Sequence, residues 1–551
     1  MSEDILPPDA LMRRDPVTFE IVRNSLYAIC EEMRDVLMRT SFSPLLSLSA
    51  DLSCAILDAC GEVAAQGNDI PVHLGAMPFT GRAVLEAFPR ETWREGDGVL
   101  LNDPYLGGTH LPDMSLLLPV FVDGALIGFT ATRVHWPDVG GIAAGSSSIA
   151  DEIIKEGLRI PPLKLIEGGT VRQDVLNLIL ANVRVPGDRL GDFRAQHAAN
   201  LRGVQRLAGL GRRYGRAVTE AVLSESQAHS HLKVRHRLAA LPDATVEAAE
   251  TLDGDGFGTT DTTVRVRIEK RGADFRVDFS ATSPAVRGPI NAPLPVTASS
   301  VYYVLMGLAG GDILPNSGAY AAAEVTAPEG SLVNAAYPRP VVAANTETSN
   351  RIVDTLLAAL AKAYPDRVPA GSYGSACVYT LGGDDPRSGR RFVHYETIGG
   401  GMGARRGAAG VAGMRVHMGN TMNLPIEAME AQLPLRFHAY EVVREAGGAG
   451  RWRGGGGVRK VVEMLADGVA ASVLGERTAS AAAGVAGGRP GGLARFVVHR
   501  RGVASETLGA KSGPHSLSRG DRLEMVTAGG GGWGEPTSET AAAPTHQGDA
   551  P

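Results

Sequence analysis

Apolar side chains recur every third or fourth position from Phe19 through Val22, Leu26, Ile29, Met33 and Val36. That spacing gathers six of them on one face of an α-helix. Asp15 suits the N-cap, Pro16 suits the first turn, and Pro44 stops what precedes it. The pattern predicts one long helix whose stripe packs on the body of the protein or on a partner. Residues 51–58, DLSCAILD, read as a strand, with a turn at Cys60-Gly61 and a return over 63–66. Residues 70–77 put His73 near a bend, where a lone histidine reads as structural. A helix is expected near 80–88 and a strand at 99–101.

The densest chemistry lies in residues 102–141, NDPYLGGTHLPDMSLLLPVFVDGALIGFTATRVHWPDVGG. Two apolar runs, 116–122 and 125–134, flank Asp123-Gly124. This is the mark of a hairpin closed by a two-residue type I′ turn. Pairing Val122 with Ala125 places Asp113 opposite Val134 and His135 opposite Pro112, where the ladder frays. Neighbouring strands lie about 5 Å apart, so His110, Asp113 and His135 start at one end of one hairpin. Two imidazoles and a carboxylate suit a divalent cation such as Zn, Mn or Fe(II), with positions open for water or substrate. The residue types alone also fit loop residues that hydrogen-bond turns at a strand end.

Beyond the hairpin, residues 140–148 form a small-residue loop. Asp151, Glu152 and Glu156 follow and offer a further ligand or a general base, or simply a solvated helix start. Residues 173–240 turn helical, with Leu201, Val204, Leu207 and Leu210 on one face. The composition shifts at 244. TVRVRIEKRGADFRVDFSATS alternates with period two around an Arg-Gly turn, residues 286–293 are extended, and a helix over 296–308 precedes a strand over 322–326. The polar run Asn345-Thr-Glu-Thr-Ser-Asn350 caps a helix starting near Arg351; such a run can also bind an anion or a carboxylate. Glycine clusters at 399–403, 447–457 and 529–532 allow close approach of another chain or a ligand.

This reading gives a mixed α/β (α+β), multi-domain chain with a helix-plus-β-hairpin N-terminal half and a β-rich, glycine-rich C-terminal half. Its expected parts are a flexible lead over 1–14, a metal-site domain over 15–243, a strand-rich α/β region over 244–534 and a disordered tail over 535–551. At 551 residues, two or more cores are expected. The composition, 44% hydrophobic and 21% charged, is that of an ordinary soluble protein, and the net charge of −6 offers nothing to nucleic acid. Glycine is abundant, 69 residues against a usual ~7%. The four cysteines, Cys30, Cys54, Cys60 and Cys377, lack zinc-finger spacing and read as small buried or half-buried residues of a reducing compartment. With no apolar h-region and no run near 18 apolar residues, neither a signal peptide nor a membrane span is expected, and the cytoplasm is. No G-x-x-x-x-G-K-S/T nucleotide motif occurs.

In order along the chain stand DPVTFEIVRN, DLSCAILD, IPVHLGAMP, NDPYLGGTHLPD, GLRIPPLKL, VRGPINAP, NTETSNR, HYETIGGGMG, GGAGRWRGG, GERT and GGGGWGEP. Together, over residues 15–536, they resemble the hydantoinase B/oxoprolinase B family, which includes the metal-bearing subunit of acetone carboxylase. The resemblance implies a B subunit of a hetero-oligomer. Its partner is a hydantoinase A-like subunit of actin-like ATPase fold that binds ATP. The resemblance also implies a divalent metal held by a His-x-x-Asp motif and a later histidine, at His110, Asp113 and His135 here. Many members carry an acid shortly before the DxSC strand. Residues 47–50 here, SLSA, have none, so that carboxylate is absent, replaced by Asp51, or supplied from residues 151–156.

The activity so implied is ATP-dependent hydrolysis of a cyclic amide of the hydantoin or 5-oxoproline kind. The partner phosphorylates the carbonyl oxygen, and the metal site hydrolyses the activated ring. Asp103 or Glu156 would orient the ligands or take a proton. Two other readings stand beside it: a metal-bearing subunit of an ATP-dependent ketone carboxylase, and a non-catalytic scaffold for the ATPase.

Overall fold

The computed structural model describes residues 10–537; the tail expected over 535–551 lies almost wholly outside them. Of the lead expected over 1–14, only residues 10–14 are described. Leu11–Arg14 form a helical turn whose Leu11 and Met12 N–H groups donate to Glu225. The long helix spans Pro16–Thr40. Asp15 caps it, accepting from the Thr18 N–H at 3.1 Å. Phe19, Val22, Leu26, Ile29 and Met33 are buried as the spacing predicts, while Leu37 rather than Val36 completes the stripe. The stripe faces the protein itself, against the helix Pro186–Tyr214.

A seven-stranded antiparallel sheet lies at the centre of the N-terminal part. Its strands are β1 (Leu52–Asp58), β2 (Val63–Gln66), β3 (Gly98–Leu101), β4 (Asp113–Val122), β5 (Ala125–His135), β6 (Leu163–Glu167) and β7 (Thr170–Val171), in the order β2-β1-β5-β4-β3-β6-β7. The helix Pro186–Tyr214 packs on β4 and β5. On the other face, Met77 and Val84 of the helix Pro71–Ala87 join Ala55, Leu57, Leu117 and Phe129 in a second apolar layer. Burial on both faces explains why β4 reads as an unbroken apolar run.

The hairpin closes as predicted: Asp123 and Gly124 both have positive φ, 51° and 75°, and Val122 pairs with Ala125. The register then departs from the expected one. A β-bulge between Phe121 and Val120 leaves Val120 opposite Gly128, and the shift carries to the far end, where Asp113 pairs with His135 itself. A one-residue shift flips a strand's faces. Without the bulge, Asp113 and His135 would point to opposite sides of the sheet.

The remaining strands form three further sheets. β8 (Ala244–Thr251), β9 (Thr263–Arg271), β10 (Asp274–Asp278) and β11 (Ala323–Thr326) make one, half-exposed as their alternation predicts. The helices Leu294–Ala309 and Ser349–Ala361 pack with it into the same core as the N-terminal helices. β12 (Val378–Asp385), β13 (Arg390–Thr397), β14 (Leu435–Val443), β15 (Gly457–Met464), β16 (Val469–Leu474), β17 (Arg495–His499), β18 (Glu506–Thr507), β19 (Lys511–Leu517) and β20 (Arg522–Val526) form the other two. Their orders are β13-β12-β16-β19 and β14-β15-β20-β17-β18.

The glycine runs of this part meet one another rather than a foreign surface. A Cβ on Gly401 would stand 2.1 Å from the Gly455 carbonyl oxygen and 2.2 Å from the Gly530 nitrogen. Cys54 is buried but Cys60 is exposed, and all four cysteines are free. Among the described residues no helix is long and apolar enough to cross a membrane.

Candidate metal centre

Three elements deliver the predicted ligands to one point. Asp113 begins β4 and His135 ends β5, face to face through the bulged register. His110 comes from the loop 102–112, which buried Asn102 pins by donating to the Leu111 and Leu158 carbonyls and accepting from the Ile160 N–H. His110 Nε2 lies 3.1 Å and His135 Nδ1 3.4 Å from Asp113 Oδ1, and the two nitrogens are 3.2 Å apart. All three side chains are buried.

His73, expected to be structural, joins them: its Nε2 is 3.2 Å from the same Asp113 oxygen. Pro71 starts the helix Pro71–Ala87 nine residues earlier than expected, and its first turn aims His73 inward rather than leaving it at a bend. Asp51 Oδ1 stands 4.0 Å from His73 Nε2 and lines the same cavity. Of the three outcomes open for the missing acid before DLSC, the structure puts Asp51 beside the triad. Asp151 instead pairs with Lys155 and Arg287, away from it. The signals for both residues were present, as the D of DLSC and the H of IPVHLG, but only tertiary packing brings them together.

The hydrogen bonds around the triad suit a cation. His110 Nδ1 lies 3.1 Å from the Val342 carbonyl, which can only accept. The proton therefore sits on Nδ1, and Nε2 turns a lone pair to the centre. Asp113 Oδ2 accepts from Asn345 Nδ2 at 2.6 Å and from the Thr109 hydroxyl, leaving Oδ1 to the imidazoles. Burial opposes the charge on Asp113, yet His110 and His73 hold its carboxyl well below the usual range. Burial pushes Asp51 up, and it lowers His135.

The donors fit one divalent ion. Asp113 Oδ1, the oxygen that faces the imidazoles, is buried without a hydrogen-bond partner. Donors about 2.1 Å from a common ion, at octahedral or tetrahedral angles, stand roughly 3.0–3.4 Å apart, the spacing seen here. His110, Asp113 and His135 are the one such group of three among the described residues.

Asp103 and Glu156 do not line the cavity but brace the loops that do. Asp103 caps the turn Pro104–Leu106 and accepts from Arg159 Nη1 at 2.9 Å. Glu156 Oε1 accepts from the N–H groups of Val341 and Val342, each at 2.9 Å, and the Val342 carbonyl in turn faces His110. Burial pushes the Glu156 carboxyl up to about 8.

The cavity beside the triad measures about 40 Å³, room for roughly three waters. Asn345, Thr346, Asn350, Tyr373, Tyr395, Thr397 and Arg415 line it as well. Tyr395 also lines an outer cleft of about 920 Å³. The polar run at 345–350 is not a cap: Ala344–Thr348 form a π-helical turn continuous with Ser349–Ala361, a feature that recurs at functional sites.

The family model for Hydantoinase B/oxoprolinase matches residues 15–536. Caprolactamase subunit beta of Pseudomonas jessenii is 34% identical over 95% of this chain and 91% of its own length. The crystal structure of the ATP-dependent caprolactamase from Pseudomonas jessenii superposes with a TM-score of 0.87 at 30% identity, over 95% of this chain and 91% of that one. 5-oxoprolinase 1 of Arabidopsis thaliana is 32% identical over 94% of this chain, which spans only 42% of the plant protein's length. With sequence and fold matched along almost all of its length, the protein belongs to the hydantoinase B/oxoprolinase family.

Proposed function

We propose that the protein is the B subunit of an ATP-dependent cyclic-amide hydrolase, working beside a hydantoinase A-like ATPase. The observation that carries this reading is the triad His110, Asp113 and His135, converging on one point in a buried cavity. The relatives named caprolactamase subunit beta and 5-oxoprolinase support the substrate class. The absence of a nucleotide motif fits a division of labour in which ATP is bound by the partner.

His110, Asp113 and His135 would hold a divalent ion, Zn, Mn or Fe(II). Such an ion supplies a water acidic enough to act as hydroxide near neutral pH. The rest is done by the chain. Glu156, through the Val341–Val342 peptides, keeps the His110 proton on Nδ1. Asp103 fixes the turn that leads into the His110 loop. Asp51, its carboxyl raised by burial, is placed to take a proton beside His73. Tyr395 covers His135 and excludes bulk water.

The partner phosphorylates the ring carbonyl oxygen, and water adds to the ring carbon. The ring nitrogen leaves with a proton, and hydrolysis of the remaining acyl phosphate yields a carboxylate and phosphate.

The test is to purify the protein with a hydantoinase A-like ATPase, and to measure bound metal and ring opening of caprolactam, 5-oxoproline and hydantoin. His110→Ala and Asp113→Ala are expected to lose both metal and turnover. Unchanged metal content in the two variants would sink the assignment.

A further inference from the structure

One charged group in the cavity has no counter-charge. Arg415 lines it, half-buried. Its Nε donates to Thr397 Oγ1 at 3.1 Å, and its two Nη groups donate to the Thr397 carbonyl and to Asn423 Oδ1. All of these acceptors are neutral, and no carboxylate lies within ion-pair distance of Arg415 among the described residues. A partly desolvated cation without a counter-ion is costly, and a guanidinium is a planar fork suited to phosphate oxygens.

A second, independent feature faces the same space. Thr346, 7% exposed, lines the cavity, and its buried Oγ1 has no hydrogen-bond partner. It sits in the first turn of the helical run 344–361, whose N-terminal N–H groups carry partial positive charge. An unsatisfied hydroxyl, a helix start and an unpaired guanidinium around one small cavity form a cradle for a compact oxyanion.

The neighbouring space agrees. Arg415, Val416 and Gly419 are shared with a second cavity of about 460 Å³, lined by Tyr303, Met306, Leu357, Val368 and Met402. Arg415 thus stands where an apolar ring on one side and a charged group on the other would part. Resting on the ATP-dependent activation proposed above, we propose that Arg415 and Thr346 form an oxyanion subsite. It takes the phosphate group of the activated amide and holds it as inorganic phosphate after the ring opens.

Calorimetric titration of the metal-loaded chain with inorganic phosphate, and separately with acetate, tests the subsite. Arg415→Met is expected to weaken phosphate binding at least tenfold, and Thr346→Val severalfold. Arg415→Lys, which keeps the charge but loses the fork, should fall between Arg415→Met and the unaltered chain. Arg391→Met in the outer cleft should change nothing, and bound metal should stay constant throughout. Phosphate binding unchanged in Arg415→Met and Thr346→Val overturns the proposal. Acetate binding more tightly than phosphate, with the same dependence on Arg415, overturns the phosphate assignment in favour of a substrate carboxylate. Loss of metal in His110→Ala and Asp113→Ala is read separately, so failure of the metal assignment is distinguishable from failure of this one.

Discussion

The ring of Tyr395 lies 4.2 Å from the imidazole of His135, tilted by 34°. The same ring is a wall of both the small cavity beside the triad and the outer cleft. A cavity for roughly three waters does not admit a five-membered ring, so substrate access requires a wall to move. If that wall is Tyr395, Tyr395→Ala opens the centre to solvent. A chelator should then strip bound metal about tenfold faster, while Tyr395→Phe keeps the original rate. Equal stripping rates in all three proteins would exclude this wall as the gate.

His73 Nε2 meets Asp113 Oδ1 at 3.2 Å and Asp51 stands 4.0 Å from His73, neither belonging to the predicted triad. Groups that orient or crowd a metal ligand typically alter affinity 10–100-fold. Asp51→Asn and His73→Asn are each expected to weaken metal binding by about that factor, measured by competition with a chromophoric chelator. Retention of full affinity in both would make them bystanders of the centre.

Glu347 and Asp354 lie on one helical run and are shifted in opposite directions. Burial pushes the Glu347 carboxyl up to about 8, Lys511 pulling it back only in part. In the unfolded chain that carboxyl releases its proton near pH 4.3. Between about pH 4.3 and 8 the folded protein thus binds the extra proton, and Glu347 makes stability fall as pH rises. Glu347→Gln should flatten this slope, raising the thermal midpoint at pH 8.5 relative to the unaltered chain and matching it near pH 4.5. Parallel pH profiles in the two proteins would show that Glu347 does not carry the slope.

The sequence made the local devices readable. Asp15 and Pro16 mark the first helix, Asp123-Gly124 marks the hairpin turn, and both are found where expected. The triad was legible because its three residues lie on one hairpin and its leading loop. The bulge at Val120/Phe121 was not, since nothing in LPVFVDGALIG singles out which residue is unpaired. His73 and Asp51 reach the centre only through the packing of separate elements. The run NTETSN looks like a cap because its residue types favour caps; in the fold it is buried, the Thr346 carbonyl accepts from the Ala376 N–H, and the turn is π-helical. The glycine clusters show close approach without naming the partner, which is other backbone of the same chain.

That backbone packing gives a sharp expectation. Gly530 has Met402 backbone oxygen and carbon at 2.2 and 2.3 Å from any added Cβ, and its N–H donates to the Gly455 carbonyl at 2.9 Å. Backbone cannot yield as a side-chain tip can. Gly530→Ala should abolish soluble expression or lower the thermal midpoint severely, whereas Gly468→Ala, with nothing within 4 Å but φ +68°, should cost only about 1 kcal/mol. Equal stability of the two variants would contradict the packing.

Asp354 ties the helix Ser349–Ala361 to the later segments that carry His417 and Arg477 through charge. Its Oδ1 is 2.9 Å from His417 Nε2 and its Oδ2 2.6 Å from Arg477 Nη2, and Asp354, His417 and Arg477 are all buried. Burial works against the carboxylate, but His417 and Arg477 hold its pKa well below the usual range. A depressed pKa stabilises the fold above the unfolded value near 4, and that contribution is lost as pH falls through the folded value. Asp354→Asn deletes the charge and leaves Arg477 with Glu250, 3.1 Å away, as its remaining carboxylate. Breaking a buried pair on one side costs about 3–5 kcal/mol, so the variant's thermal midpoint should fall at pH 7. The gap to the unaltered chain should then narrow in acid, where Asp354 loses its own charge. His417 lies two residues from Arg415, so the same variant should also weaken phosphate binding while the triad keeps its metal. A midpoint at pH 7 equal to that of the unaltered chain would mean that Arg477 finds its compensation elsewhere.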